Sequence, residues 1–211
     1  MPARLLAISD RRSLPGENLL PWFEALARAE IPAVLLREKD LPDAALYELL
    51  IQARSILPPP RLLLVSGRAD LALAAGADGV HLPAQGVPVE AVRHRVGRRL
   101  IVGCSTHSVA EVCACAASGA DYVTLGPLYA TPSKMRYGPP LGLDALRAAA
   151  GLGIPVLALG GVTEASFPEL AASGASGVAG IRFAERPETL VQLKNAADRC
   201  FPEVLVRGDL G

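Results

Sequence analysis

The sequence is poor in the features that mark membrane, secreted and nucleic-acid-binding proteins. Only 4% of its 211 residues are aromatic, and 21 Lys and Arg balance 21 Asp and Glu. This balance argues against a basic nucleic-acid surface or an acidic tail. No apolar run reaches the roughly 18–20 residues of a membrane span, and the start, "MPARLLAISDRR", leads straight into a strand-like pattern. We therefore expect no membrane segment, no signal peptide and a single domain, 1–211.

Cysteine is scarce and shows no metal-binding arrangement. No C-x-x-C pair occurs among the four cysteines, Cys104, Cys113, Cys115 and Cys200. Cys113 and Cys115 lie two apart, so on a helix their side chains point in different directions. There is also no Cys/His cluster at zinc spacing and no H-E-x-x-H. We expect the cysteines to be buried small hydrophobic residues in a reducing cytoplasm, and we expect no metal site.

What the sequence does have is a regular alternation of strand and helix patterns. Nearly all-apolar runs are typical of parallel strands buried on both faces. They occur at Leu5–Ile8, Ala33–Arg37, Leu62–Val65, Gly79–Leu82, Leu100–Cys104, Tyr122–Leu125, Pro155–Leu159 and Gly177–Ala179. Helical patterns rich in Ala and Leu lie between and after them, at Leu20–Ala29, Asp43–Leu57, Ala69–Ala75, Pro88–Val96, Val109–Ser118, Leu143–Ala150, Glu164–Ser173 and Glu188–Arg199. Eight such units predict an α/β fold, a (β/α)₈ TIM barrel, with a doubly wound open sheet as the alternative.

A short motif repeats at three helix-to-strand junctions: "AAGADGV", "ASGADYV" and "ASGASGV". In each copy we expect the central Gly to close a helix in the left-handed conformation before a polar turn enters the next strand. Three near-copies indicate a repeated structural unit.

Two glycine-bearing loops predict a phosphate site. Gly160 and Gly161 follow the seventh predicted strand, and Gly180 and Ile181 lie at the end of the eighth. In a barrel these neighbouring loops commonly form a phosphate cup, where backbone N–H groups and a helix N-terminus favour an anion. The alternative is a tight strand-to-helix turn that simply needs glycine.

Further candidate ligand contacts follow the second and sixth predicted strands. The long Gly- and Pro-rich loop after the sixth carries Thr131, Ser133 and Lys134, which suit a phosphate, although a merely solvated loop is the alternative. Alternation places Arg37 and Lys39 on one side of the second strand's end, where they suit a second anion. Alternatively, Glu38 and Lys39 form solvated surface pairs.

Histidine supplies the candidate proton carrier. The segment "CSTHS" after the fifth strand offers Ser105 and His107, and histidine moves protons readily near neutral pH. The alternative is that His107 only caps the next helix or hydrogen-bonds within its own turn. We expect His81 to form hydrogen bonds inside the barrel and His94 to lie at a solvated helix end.

These segments together resemble the thiamine phosphate synthase / TenI superfamily. The matching pieces are "LLREKD", "RADLALAAGADGVHLP", "VGCSTHS", "GADYVTLGPLYATPSK", "IPVLALGGVT" and "GASGVAGI". The resemblance implies a (β/α)₈ barrel that binds a thiazole phosphate at Gly160, Gly161, Gly180 and Ile181. It also implies that Ser105, Thr131, Ser133 and Lys134 surround the ligands and that Arg37 and Lys39 bind the pyrophosphate of the synthase's second substrate.

The chain departs from the synthase branch where the resemblance implies Mg²⁺ binding. The synthase pattern has Gln before "LREK", Asn-Asp after the third strand and an acid after the fourth. This chain has Leu35, Ser66-Gly67 and "PAQG" there. The TenI-like branch lacks the same acids, and its known chemistry is a metal-free thiazole tautomerisation that needs an anion cup and a general base. The resemblance therefore implies a TenI-like tautomerase with no metal cofactor. We also expect a cytoplasmic protein that forms a homo-oligomer (dimer).

One further departure leaves the base open. The family's tautomerase His lies after the sixth strand, where this chain has Pro127, so we predict His107 as the base, with Cys104 and Lys134 as competitors. Two other hypotheses stand: a non-catalytic or regulatory binder of the thiazole phosphate, and a synthase with an altered Mg²⁺ site. For that site Asp10, Asp40 and Asp70 are the only acids near the expected loops, and we expect Asp70 to face solvent.

Overall fold

A computed structural model describes residues 4–130, 139–181 and 187–201. Its strands are β1 Leu5–Ile8, β2 Ala33–Leu36, β3 Leu62–Ser66, β4 Gly79–Leu82, β5 Ile101–Thr106, β6 Tyr122–Leu125, β7 Val156–Leu159 and β8 Gly177–Gly180. Its α-helices are α1 Leu20–Arg28, α2 Asp43–Ile56, α3 Ala69–Ala74, α4 Val89–Val96, α5 Val109–Ala117, α6 Gly142–Ala150, α7 Phe167–Ala172 and α8 Leu190–Cys200.

The strands close into a parallel barrel in sequence order, with β1 paired to both β2 and β8. This closure confirms the (β/α)₈ prediction and makes the open-sheet alternative wrong. Nearly every residue of the strands is apolar, so both faces of the sheet must be buried. Closure into a barrel buries one face in the interior, and the helices cover the other.

The seventh helical stretch is the largest departure from the predicted bounds. It begins as a 3₁₀ turn, Glu164–Ser166, and only six α-helical residues follow. The α-helix after the strand-7 loop is therefore shorter than predicted, and its N-terminus does not directly follow the glycines of the expected phosphate cup. Two 3₁₀ turns after β1, Arg11–Ser13 and Pro15–Glu17, were also not predicted.

Strand alternation separates two apolar clusters. The barrel interior is filled by a cluster that includes Leu6, Ile8, Ala33, Leu35, Leu64, Tyr122, Leu157 and Ala179. The strand residues that alternate with the inward-facing ones face the helices, and the apolar ones among them join the larger outer cluster. Side chains two residues apart on a strand therefore face the same side. This alternation decides which polar residues at the carboxyl ends of the strands face the barrel interior.

Tyr122 is the largest fully buried side chain among the described residues, and Gly103 leaves space for it. A Cβ on Gly103 of the neighbouring strand would lie 2.2 Å from Tyr122 Cε1 and Cζ. No side chain can occupy that space, so position 103 must be glycine as long as Tyr122 fills the interior.

The repeated junction motif has the predicted geometry in all three copies. Gly76, Gly119 and Gly174 have φ values of +65°, +88° and +89°. The motif also does something that was not predicted. Asp78 Oδ2 accepts hydrogen bonds from Leu63 N and from Arg54 on the preceding helix, and Asp121 Oδ2 accepts from Val102 N and Arg93 in the same way. In two copies, then, an aspartate ties the start of one strand to its neighbour and to a helix.

The cysteines only partly match the prediction. Cys104 is buried, Cys115 and Cys200 are half-buried, and Cys113 is exposed on α5. The prediction of burial is therefore wrong for Cys113, because α5 turns that position to solvent. Within the described residues, no helix is both long and apolar enough to cross a bilayer.

Candidate functional site at the barrel mouth

Three polar side chains from adjacent strands meet inside the barrel near its carboxyl end. His81 Nδ1 lies 2.8 Å from the Tyr122 hydroxyl, and His81 Nε2 lies 2.9 Å from Ser105 Oγ. His81 is buried and Ser105 is half-buried. His81 therefore has the internal hydrogen-bonding position predicted for it, and Ser105 stands between this buried pair and the mouth.

The barrel keeps His81 neutral. Burial first, and then the positive charge of Arg37, lower its pKa to about 4. Arg37 thus exerts its charge on the barrel interior, in agreement with its place two residues after inward-facing Leu35. His81 is consequently a fixed hydrogen-bonding group at neutral pH.

His107 lies one step further out on the same loop. It is exposed, and its Nδ1 lies 2.5 Å from the carbonyl oxygen of Gly126, at the end of β6. Because a carbonyl only accepts, Nδ1 carries the proton and Nε2 is the basic nitrogen of the neutral ring. The imidazole does not cap α5, a role taken by Ser108, whose hydroxyl accepts from Glu111 N. The ring contacts the loop beside Pro127, where the resemblance places the family's His.

The strand-7 loop packs directly against the strand-6 loop. Gly160 and Gly161 have φ values of +89° and +69°, and added Cβ atoms would lie 2.6 Å from Pro127 Cα and 2.7 Å from Tyr129 Cβ. Tyr129 N also donates to Gly160 O at 3.0 Å. The structure thus explains both glycines by conformation and close packing, which was the alternative to the phosphate cup. It leaves phosphate binding there a prediction.

The two loops of the predicted cup do lie side by side. Leu159, the last residue of β7, pairs with Ala179, so Gly160 after β7 lies level with Gly180 at the end of β8. Gly180 is buried, and Ile181 packs against the interior cluster. Thr131, Ser133 and Lys134, the predicted contacts of the strand-6 loop, lie outside the described residues.

Lys39 lines a cavity at the barrel mouth that Arg37 does not line. This cavity of about 310 Å³ opens between the ends of β2, β3 and β4 and the start of α2. Lys39, Glu38, Arg68, Ser66 and Pro83 are among its lining residues, whereas Arg37 is not. Their joint binding of one anion stays a prediction.

Glu38 is the residue that sequence reasoning placed wrongly. The alternative reading put it on the solvated surface, but it is buried, and it accepts hydrogen bonds from Ser9 Oγ at 2.5 Å and from Arg11 N at 3.2 Å. Ser9 Oγ in turn accepts from Arg37 N at 2.8 Å. Glu38 therefore fixes the loop after β1 and the backbone of Arg37. The only available signal was strand alternation, which turns Glu38 away from Arg37 and Lys39.

Two of the three acids named as candidates, Asp40 and Asp70, do not fit a Mg²⁺ site. Magnesium needs carboxylate oxygens that are free to bind it. Asp40 pairs with Arg11 and Arg12, and the Arg11 hydrogen bond holds the pKa of Asp40 well below its ordinary value. Asp70 is exposed, as expected, and pairs with Arg68. In residues 4–130, 139–181 and 187–201, no three His, Cys, Asp or Glu side chains cluster as a metal site would require.

Cys104 is poorly suited to act as a base. Burial first, and then the neighbouring Cys115, raise its pKa to about 12, so the thiol stays protonated. It also faces the helices and belongs to the outer cluster.

The fold and the mouth define a parallel (β/α)₈ barrel whose candidate site lies at the carboxyl ends of its strands. Residues 5–183 match the family model described as thiamine monophosphate synthase, and the chain belongs to this TMP-TENI family.

Named relatives agree with this assignment. The chain is 45% identical over 177 residues to a Geobacter sulfurreducens protein named "Putative thiamine-phosphate synthase", covering 83% of each chain. It is 43% identical to the thiamine-phosphate synthase of Methanoculleus marisnigri over 83% of this chain and 84% of that one. The solved thiamine phosphate pyrophosphorylase of Pyrococcus furiosus superposes with a TM-score of 0.84 at 27% identity, covering 95% and 98% of the two chains.

These names bear on the three functional hypotheses. They support an enzyme over a non-catalytic binder, and they agree better with the synthase alternative than with the tautomerase. Asp40 and Asp70 point the other way, because both carboxylates are paired with arginine.

Proposed function

We propose that the protein is an enzyme of thiamine biosynthesis that binds a thiazole phosphate and moves a proton on it without a metal ion. The observation that carries this proposal is the orientation of His107. Its Nδ1–H is held by the Gly126 carbonyl, so the basic Nε2 remains for a ligand, and it has no partner within the described residues. A metal-free tautomerisation needs an anion-binding surface and a base that removes the proton from one ligand atom; the protonated imidazole or water then returns a proton to the other atom.

The arrangement of the mouth supports the same chemistry. Arg37 contributes positive charge on the β2 side, and Ser105 offers a hydroxyl two residues before His107 on the β5 side. An anionic carboxythiazole phosphate would find a cation after β2 and a hydroxyl and a base at the end of β5, all at the carboxyl end of the barrel. The strand-7 and strand-8 loops would hold its phosphate, as the resemblance implies.

The second candidate is the synthase reaction, and the names of the relatives favour it. Departure of pyrophosphate requires neutralisation of its charge, usually by Mg²⁺. Among the described residues, that charge could meet Arg37, Lys39 and Arg68. Three nearby aspartates are paired with arginines: Asp40, Asp43 and Asp70. The synthase candidate therefore requires a leaving-group site made of cations.

One pair of assays separates the two reactions. The purified protein is incubated with synthetic carboxythiazole phosphate, and the ring proton is followed by NMR. In parallel it is incubated with hydroxymethylpyrimidine diphosphate, thiazole phosphate and Mg²⁺, and thiamine phosphate is measured.

We expect tautomerisation that is unaffected by a chelator and only trace thiamine phosphate. Synthase turnover on the order of 1 per second or more would replace the proposal with the synthase. Tight binding with neither reaction would indicate the non-catalytic binder.

A further inference from the structure

The buried His81 and Tyr122 form a hydrogen-bonded chain that ends at Ser105, and the direction of that chain can be worked out. Tyr122 is fully buried among aliphatic side chains, and its hydroxyl bonds only His81 within the described residues. If Tyr122 accepted from His81, its own O–H would be buried without an acceptor, which is unfavourable. Burial also raises the pKa of Tyr122, so the proton stays on the phenol. Tyr122 therefore donates to His81 Nδ1.

This direction sets the tautomer of His81. The ring is neutral, so with Nδ1 accepting, the single ring proton is on Nε2 and is donated to Ser105 Oγ. Ser105 Oγ then accepts a hydrogen bond from His81 Nε2, so its own O–H must donate to an atom other than His81. Ser105 is half-buried at the carboxyl end of β5, so the direction left to that O–H is the mouth.

A second observation points to the same place. Thr124 pairs with Ser105 in register on the adjacent strand and is 1% exposed, yet its Oγ1 has no hydrogen-bond partner among the described side chains and backbone. It lies two residues after inward-facing Tyr122, so it belongs to the interior side of β6. An unpaired buried hydroxyl beside Ser105 is the kind of group that a ligand atom satisfies.

We propose that His81 and Tyr122 are positioning residues, which hold Ser105 as an obligate hydrogen-bond donor toward an acceptor atom of the ligand at the barrel mouth. The ligand class rests on the proposed function, whereas the direction of the hydrogen-bonded chain does not. Ser105 would hold an oxygen or nitrogen of the bound molecule while His107, two residues further along, acts on its proton.

The first experiment measures the tautomer directly in the ligand-free protein. In ¹⁵N NMR we expect a pyridine-like Nδ1 and a pyrrole-like Nε2 for His81, with the signals assigned by their loss in His81→Gln. The reverse pattern, with the proton on Nδ1, would overturn the proposal whatever the protein catalyses.

The second experiment is a double-mutant cycle on the binding of carboxythiazole phosphate, measured by calorimetry. Ser105→Ala should weaken binding roughly tenfold or more, since it removes a donor to an anionic ligand. Tyr122→Phe should weaken binding several-fold, because the Ser105 proton can then turn back to His81. In the Ser105→Ala background Tyr122→Phe should add nothing.

Tyr47→Phe on α2 is the matched control and should leave binding unchanged. Additive losses in the cycle would overturn the positioning role. A wild-type protein that does not bind this ligand would refute the ligand class, while the NMR result would still decide the direction of the chain. Thermal melts of each variant check that it is folded.

Discussion

Nδ1 of His107 donates a hydrogen bond of 2.5 Å to the carbonyl oxygen of Gly126, which joins the loop after β5 to the end of β6. This bond fixes both the orientation of the ring and its tautomer. The basic nitrogen is thus presented from strand 5, while Pro127 stands where the resemblance places the family's His on strand 6. A base contributed by the neighbouring strand can reach a ligand at the same mouth.

The first prediction concerns His107 as general base. His107→Ala and His107→Gln should lower tautomerase turnover by roughly 10²–10⁴-fold, because neither side chain can take the proton. Affinity for carboxythiazole phosphate should hardly change, since the base acts on the proton and does not bind the anion. NMR of the ring proton gives turnover, and calorimetry gives affinity.

His94→Ala provides the control, because His94 is exposed on α4, away from the strand ends. It should leave turnover as in the wild type. Full turnover in both His107 variants would show that His107 is structural and that the base lies elsewhere.

Much of the fold could be predicted because its signals are local. Eight apolar strands and three glycine-closed junctions are each visible within a few residues of sequence, and the structure confirms them. The (β/α)₈ closure follows from the number of units and the length of the chain.

The site was harder to predict because its contacts join residues far apart in the chain. The carboxylate of Glu38 accepts hydrogen bonds from Ser9 and Arg11, which lie 29 and 27 positions away in the sequence. The local sequence "REKD" does not indicate these partners. Tyr122 and His81 are 41 positions apart and meet only because their strands close into the barrel. The roles of Gly160 and Gly161 likewise depend on the packing of Pro127 and Tyr129 against them.

A second prediction concerns the aspartate at the repeated junction. Asp78→Ala leaves the buried Leu63 N–H without its 2.6 Å acceptor and removes the partner of Arg54. The free energy of unfolding should fall by about 1–3 kcal/mol. Urea denaturation should show a lower midpoint with an unchanged slope. Asp144→Ala, at a 99% exposed side chain, should change stability by no more than about 0.5 kcal/mol; equal effects of the two substitutions would refute the role assigned to Asp78.

A third prediction couples Gly103 to Tyr122. Gly103→Ala places a methyl group 2.2 Å from two ring carbons of Tyr122, and the interior cannot yield that space without rearrangement. We expect a loss of about 1–3 kcal/mol in the free energy of unfolding. Adding Tyr122→Leu should recover part of this loss, because the ring that clashes is gone, whereas Tyr122→Phe should recover little. Strictly additive losses in Gly103→Ala/Tyr122→Leu would contradict the steric explanation.

The last prediction is a pH dependence of stability that belongs to His81. Its folded-state pKa of about 4 lies below the ordinary histidine value of 6.5, so the unfolded chain binds more protons between these two values. The contribution of His81 to the free energy of unfolding should therefore be complete above about pH 6.5. It should fall as the pH drops toward 4 and stay constant below that value. The total loss is about 3 kcal/mol by linkage. The aspartates with lowered pKa values, Asp40, Asp70 and Asp198, begin to lose their contributions below about pH 5, so they overlap with His81 only at the acid end of this range. Urea denaturation at half-unit steps from pH 7.5 to 4 measures the slope, and His81→Gln, which cannot titrate, should flatten it. A wild-type slope that persists unchanged in His81→Gln would show that another group controls this window.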